Sequence, residues 1–156
     1  MPTDVIVGLS FGVEFKDNKY VPGITNECIA QIIKEQSTPS SIPVIAQWPV
    51  AEALFQKGIL VFENIEGFTS TGQVIEEVAR KMQQQEWDNA IVVTHPHLIR
   101  RALSCFKKLG INATPAPNLD SIPYNRNSKH WWNRRRFYWF FWNMIDWAYS
   151  KAVGWV

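Results

Sequence analysis

The sequence predicts an α/β fold: a mostly parallel sheet of about five strands, covered by helices on both faces, with an aromatic helix at the C-terminal end. Two observations carry this. Short apolar runs alternate with stretches of helical periodicity along most of the 156 residues. The strand-like runs are also continuously apolar, as in strands buried on both faces, rather than alternating. The length fits one domain, residues 1–156, with room for a substantial core. No repeat, low-complexity tract or linker divides it.

Residues 5–9, reading VIVGL, form the first strand, which runs into Gly8, Ser10 and Gly12. Residues 13–23 are polar, contain Pro22-Gly23, and read as a loop. Thr25 is placed to cap a helix over 26–35 that carries Ile29, Ile32 and Ile33 on one face. After a connection at 37–41, the second strand covers 42–46, with Pro43 near its start, where a strand tolerates it. Pro49 suits the first turn of the next helix, which Gly58 stops. The apolar run 59–62 reads as the third strand. Thr69 or Ser70 caps a helix over 71–85, with Val74, Val78 and Met82 at helical spacing. The fourth strand spans 90–94. Pro96 then opens a helix that carries Leu98, Ala102, Cys105 and Phe106 and ends at Gly110. Residues 111–114 are a fifth strand, the proline- and asparagine-rich stretch 115–130 is loop, and 131–153 form the last helix.

A composition 46% hydrophobic and 19% charged is that of a soluble globular protein. The net charge of +2 makes the whole chain a poor electrostatic match for nucleic acid, which ranks last among partners despite the run Arg134, Arg135, Arg136. Cys28 and Cys105 sit in no C-x-x-C pattern and read as two buried, reduced thiols. The opening Met1-Pro2-Thr3-Asp4 has none of the features of a secretory signal. Together these point to the cytoplasm.

In a doubly wound sheet, ligands bind beyond the carboxyl ends of the strands. The first strand delivers Gly8, Ser10 and Gly12 there, and the second delivers Gln47 and Trp48. The third delivers Glu63 and Glu66, followed by Thr69, Ser70 and Thr71; the fourth delivers Thr94, His95 and His97, then Arg100 and Arg101. A helix starting after Thr94 presents backbone N–H groups and the positive end of its dipole. An arginine in its first turns adds a forked, permanently charged donor. The combination favours a small anion: a phosphate, a pyrophosphate or a carboxylate. Arg101 is expected to hold it. Thr94, Ser70 and Thr71 would supply hydroxyls, and Gly8, Ser10 and Gly12 would allow close backbone approach. Gln47, Trp48 and Glu63 would complete the site.

A histidine beside a bound anion can move a proton near neutral pH, so His97 is the first catalytic candidate and His95 the second. Taken singly, a His or Arg in a helix's first turn is usually a cap or a surface group; the grouping at one strand end gives these their weight. His95-x-His97 with Glu63 or Glu66 could ligate zinc, but Pro96 restricts the backbone and no supporting carboxylate is evident, so no metal is expected. The glycines at 8 and 12 lack the three-glycine dinucleotide spacing, and no serine-hydrolase elbow occurs.

The order of these blocks resembles the ElyC/SanA/YdcF family from about residue 4 to 114, and more weakly in the last helix. Its opening strand, "D-x-I-V-V-L-G", is similar to Asp4-Val5-Ile6-Val7-Gly8-Leu9. An "A-Q-W-E" segment of some members is close to Ala46-Gln47-Trp48-Pro49, and an acidic residue before a Ser/Thr-rich helix entry resembles 63–71. The block "V-T-x-x-x-H-x-x-R-A" resembles Val93-Thr94 through Arg101-Ala102. The family's histidine position falls on Leu98, beside His97, and Pro49 stands where members often carry Glu. The resemblance implies a Rossmann-like three-layer fold of the soluble, YdcF-like branch. It also implies a pocket at the strand ends, with S-adenosylmethionine among the ligands and relatives in the cell envelope. Whether this chain is an enzyme stays open.

The tail from His130 onward holds six of the eight tryptophans. On a helix, Tyr138, Phe141, Trp142, Ile145, Ala148 and Ala152 form one stripe, widened by Phe137, Phe140, Met144 and Trp147. Asn143, Asp146 and Lys151 interrupt it, which argues against a membrane span. Three readings remain: docking on the sheet as core, pairing with a second copy as a homodimer, or peripheral contact with a membrane surface. The last two belong to a non-catalytic interaction protein with a vestigial pocket.

Overall fold

β1 (Val5–Gly8) lies at the centre of a five-stranded parallel sheet, between β4 (Val44–Gln47) and β6 (Asn89–Val93). β5 (Glu63–Ile65) pairs with the outer side of β4, and β7 (Asn112–Pro115) with the outer side of β6. The chain winds outward from β1 through β4 to β5, then crosses back to build β6 and β7 on the other side. The winding therefore reverses between β1 and β6, where Gly8 stands opposite Val93. A reversal splays the following loops apart and opens a crevice. This computed structural model describes residues 2–67 and 70–154.

Among the described residues five α-helices complete the fold: α1 (Gly23–Ser37), α2 (Trp48–Gln56), α3 (Thr71–Gln84), α4 (Pro96–Lys108) and α5 (Arg136–Ala152). Successive side chains of a strand point to opposite faces, so a strand that is apolar throughout needs cover on both. Ile6, Val44 and Ala46 face α1 and α2 through Ile29, Ile33, Val50 and Leu54. Val5, Val7 and Ile45 face α3 and α4 through Val74, Val78, Met82 and Phe106. The result is the three-layer, Rossmann-like α/β sandwich that the alternating pattern predicts.

Three local expectations are corrected. The segment 13–23 is no plain loop: β2 (Glu14–Lys16) and β3 (Lys19–Val21) form a hairpin. Its turn residues Asp17 and Asn18 both have positive φ, the pattern that matches strand twist in a two-residue hairpin turn. The third strand lies at 63–65 rather than 59–62. Apolar character at 59–62 does not mean burial: Leu60 is 81% exposed, and Phe62 leans on Trp87 at the sheet's edge. Thr25 is not a cap. α1 starts earlier, at Gly23, and the fully buried Thr25 donates its hydroxyl to the Pro123 carbonyl (2.7 Å). Thr69, a candidate cap and site residue, lies outside the described residues; Ser70 caps α3, accepting from the Gln73 N–H at 3.3 Å.

The last helix departs most. Residues 131–133 are a single 3₁₀ turn, and α5 presents Trp139, Trp142, Asn143 and Asp146 inward, at i, i+3, i+4 and i+7. Most of the expected stripe (Tyr138, Phe141, Ile145, Ala148 and Ala152) is exposed, and only Trp142 of it turns inward. Docking as core thus holds for one narrow edge of the helix. Among the described residues no helix is long and apolar enough to cross a membrane.

Gly8 reports how tightly the central strand is packed. A Cβ there would lie 2.6 Å from Ile33 Cδ1 and 2.9 Å from Val50 Cγ1, both fully buried side chains. Gly8→Val should therefore force α1 and α2 off the sheet and cost roughly 1–3 kcal/mol. Urea unfolding at equilibrium measures it; an unchanged midpoint would show that the helices yield freely.

Candidate functional site

A cavity of about 760 Å³ opens at the carboxyl edge of the sheet. Its floor is the loop after β1, its sides are the first turns of α2 and α3 and the flank of α4, and α5 roofs it. Each wall has a local cause.

The loop after β1 is held by one amide. Asn26, fully buried on α1, accepts from the Phe11 N–H (3.0 Å) and donates to the carbonyls of Gly12 (2.6 Å) and Pro22 (2.7 Å). A buried loop must satisfy its backbone polar groups, and here a single side chain does so twice and ties the loop to the start of α1 through Pro22. Gly12, at φ +77°, passes so close to Ser128 and Asn133 that a Cβ would fall 2.6 Å from the Ser128 hydroxyl. Ser10 is tied to the end of β4: its N–H and its hydroxyl both donate to Gln47 Oε1, at 3.1 and 2.7 Å. The entries of α2 at Trp48 and α3 at Ser70 and Thr71 also face the cavity, so two helix N-termini converge there.

Arg101 lines the opposite wall with its side chain only 9% exposed. It forms an ion pair with Asp146 of α5, which lines the same cavity. Burial pulls the guanidinium's proton affinity below its ordinary value, the expected response of a charge taken out of water. Trp139, Trp142 and Trp132 supply the apolar roof, with Trp132 and Trp142 stacked at 4.4 Å between ring centroids.

Of the residues expected at the site, Ser10, Gly12, Gln47, Trp48, Ser70, Thr71 and Arg101 line this cavity together. Gly8 lies beneath it in the core. Glu63 sits on β5 in an ion pair with Lys81 at 2.7 Å. Thr94 is fully buried behind the wall.

The two histidines also stand behind the wall, and Leu98 fills the lining position between them and Arg101. His95 is 1% exposed and stacks on Phe11 at 4.1 Å, with Tyr124 tilted against it at 4.5 Å. It caps α4: its Nδ1 accepts from the His97 N–H at 3.3 Å, which leaves the proton on Nε2. Burial, and then the neighbouring His97 charge, push its pKa down to about 3, so the ring is neutral. His97 is exposed, with Nδ1 2.8 Å from the Tyr124 hydroxyl. Its pKa is lowered by partial burial and then by Arg136, while burial raises that of Tyr124 to about 12. Among the described residues no three His, Cys, Asp or Glu side chains come together as metal ligands.

Sequence reasoning missed Asn26, Asn133, Tyr124 and the inward role of Asp146. Asp146 carried a signal, being the single acid in an otherwise aromatic and basic helix. Asn133 lines the cavity, is 5% exposed, and its Oδ1 meets no hydrogen-bond partner among the described residues. A buried acceptor without a donor is costly, so it marks a place where a donor group would be welcome. Comparison with protein-family models, with curated proteins and with solved structures finds no match.

The neutral His95 makes the fold acid-sensitive. In the unfolded chain the ring takes up a proton near its ordinary value of 6.5, and in the fold only near 3. The unfolded chain then binds more protons in that window. Its contribution is fully present above pH 6.5 and is lost as the pH falls towards 3, by up to about 1.4 kcal/mol per pH unit. His95→Phe keeps the stacking and should flatten that slope in urea titrations, leaving the part due to His97 and His130 and, at the acid end, to the Asp4 and Glu77 carboxyls, whose pKa values are also lowered. An equally steep slope in the variant would place the acid sensitivity elsewhere.

Proposed function

We propose that this chain binds a small anionic molecule in the cavity at the carboxyl edge of the sheet, with Arg101 as the anion-holding group. One observation carries the reading: Arg101, largely withdrawn from solvent, already holds a carboxylate there, that of Asp146. Asp146 is the chain's own stand-in for the ligand, and an incoming anion takes its place. The forked guanidinium accepts a carboxylate or a phosphate equally well.

Other features narrow the class. The N-termini of α2 and α3 add positive potential at the cavity's far side, and Ser10, Ser70 and Thr71 add hydroxyls. The tryptophan roof suits a flat ring, and Asn133 Oδ1 suits an amine or hydroxyl. A nucleotide, a phosphorylated compound, or S-adenosylmethionine meets this description. For the last, the amino-acid carboxylate would pair with Arg101 and the adenine would lie against the tryptophans. The resemblance to the YdcF-like proteins favours it. Neither histidine reaches the cavity wall, so the proposal is one of binding and gives no reaction step to His95 or His97.

The test is a thermal-shift screen of nucleotides, sugar phosphates, pyrophosphate and S-adenosylmethionine. A ligand at a hundredfold excess over its Kd adds about 2.7 kcal/mol of stability. Two variants should then move affinity in opposite directions. Arg101→Ala weakens binding by about tenfold or more, the usual effect of losing a charged partner. Asp146→Asn removes the internal competitor and tightens it. The same sign in both, or no stabilisation of the wild type by any anion, would overturn the assignment.

A further inference from the structure

The outer face of α5 is apolar and, among the described residues, has no cover. Opposite the inward Trp139, Trp142, Asn143 and Asp146 stand Phe137, Phe140, Phe141, Met144 and Ile145, each more than half exposed. Trp147, 51% exposed, extends the patch along one flank. Contiguous apolar surface of this kind on a helix marks a contact site. At 17 residues, or roughly 25 Å, the helix is long enough to lie along a surface.

Charge selects the occupant. Arg134, Arg135 and Arg136 are exposed at the N-terminal end of the patch, and Lys151 near its C-terminal end. Lys107 and Lys108 of α4 join the latter; Lys108 Nζ donates to the Gly154 carbonyl at 3.2 Å, which brings it to that end of the helix. The single acid of α5, Asp146, is turned inward onto Arg101. The apolar face is therefore bracketed by cations at both ends. A second copy of the chain fits this poorly. A parallel pair would set the arginine triplets side by side, and an antiparallel pair would set each triplet against the lysines of the other.

We infer that α5 docks in the plane of an anionic lipid surface. Phe137, Phe141 and Met144 enter the acyl boundary, Trp147 sits at headgroup level, and the flanking Arg and Lys side chains meet lipid phosphates. The cavity-facing edge of the helix stays against the protein, so docking leaves Trp139, Trp142 and Asp146 in place. This role is independent of ligand binding.

Flotation of the full chain with vesicles tests it. One set is phosphatidylcholine alone; the other holds about a third phosphatidylglycerol. The wild type should float with the anionic vesicles, several-fold less with the neutral ones, and less again at high salt. Tryptophan emission should shift to the blue. Phe137→Ser/Phe141→Ser, with both changes at exposed positions, should stay in the bottom fraction while keeping the wild-type near-ultraviolet circular dichroism. Should that variant fail to fold, Arg135→Glu/Lys151→Glu decides, since it reverses two exposed charges and should abolish the preference for anionic vesicles. A wild type that ignores anionic vesicles overturns the inference. So does a dimer in sedimentation equilibrium that the phenylalanine substitutions dissolve, which would make a second copy the occupant.

Discussion

A guanidinium held almost out of water must meet a counter-charge, because an unpaired buried charge costs several kcal/mol. Arg101 imposes this condition at the carboxyl edge of the sheet, and Asp146 answers it. Much else follows from that pairing. With Asp146 turned inward, the 3.6-residue period brings Trp139, Trp142 and Asn143 to the same side, where they roof the cavity. The same rotation throws Phe137, Phe141 and Met144 outward and leaves the outer face of the helix with cations alone. One ion pair thus shapes both the cavity and the exposed face of α5.

The opposite wall has a different logic. The loop after β1 forms the cavity floor with Leu9 and Phe11 buried, so its backbone groups need partners within the protein. Asn26 meets two of them, the Phe11 N–H and the Gly12 carbonyl, and also the Pro22 carbonyl at the start of its own helix. Ser10 is then fixed on Gln47, which joins the ends of β1 and β4 at the cavity floor. Residues of little chemical reactivity position this wall, while the charge lies across from it on α4.

The histidines show how a motif can point at the right edge and mislead about roles. His95 sits just after β6, beside the central strand, yet it is a neutral ring stacked on Phe11 and a helix cap. His97 meets Tyr124 on the outside. Leu98 takes the cavity-facing turn between them and Arg101 because side chains on a helix step by about 100°. Leu98 and His97, three and four residues before Arg101, flank it by about 60° and 40° on opposite sides, and the cavity lies on the Leu98 side.

The sequence alone determined the sheet, its two-sided cover and the edge at which a site would form. Those depend on local patterns: Val5 to Val7 and Ile91 to Val93 are apolar without alternation, Pro49 and Pro96 open helices, and Ser70 caps one. Six of the seven expected residues that share the cavity were legible for the same reason, since each stands at a strand end or a helix entry; Arg101, on the second turn of α4, was legible from its charge. The tertiary structure alone decided which way α5 faces, which histidine surface is hidden, and that residues 59–62 run along an exposed edge. In an aromatic helix nearly every face is apolar, so hydrophobic periodicity cannot choose the buried one. A single charge pair between residues far apart in the chain makes that choice, and such pairs leave no periodic trace.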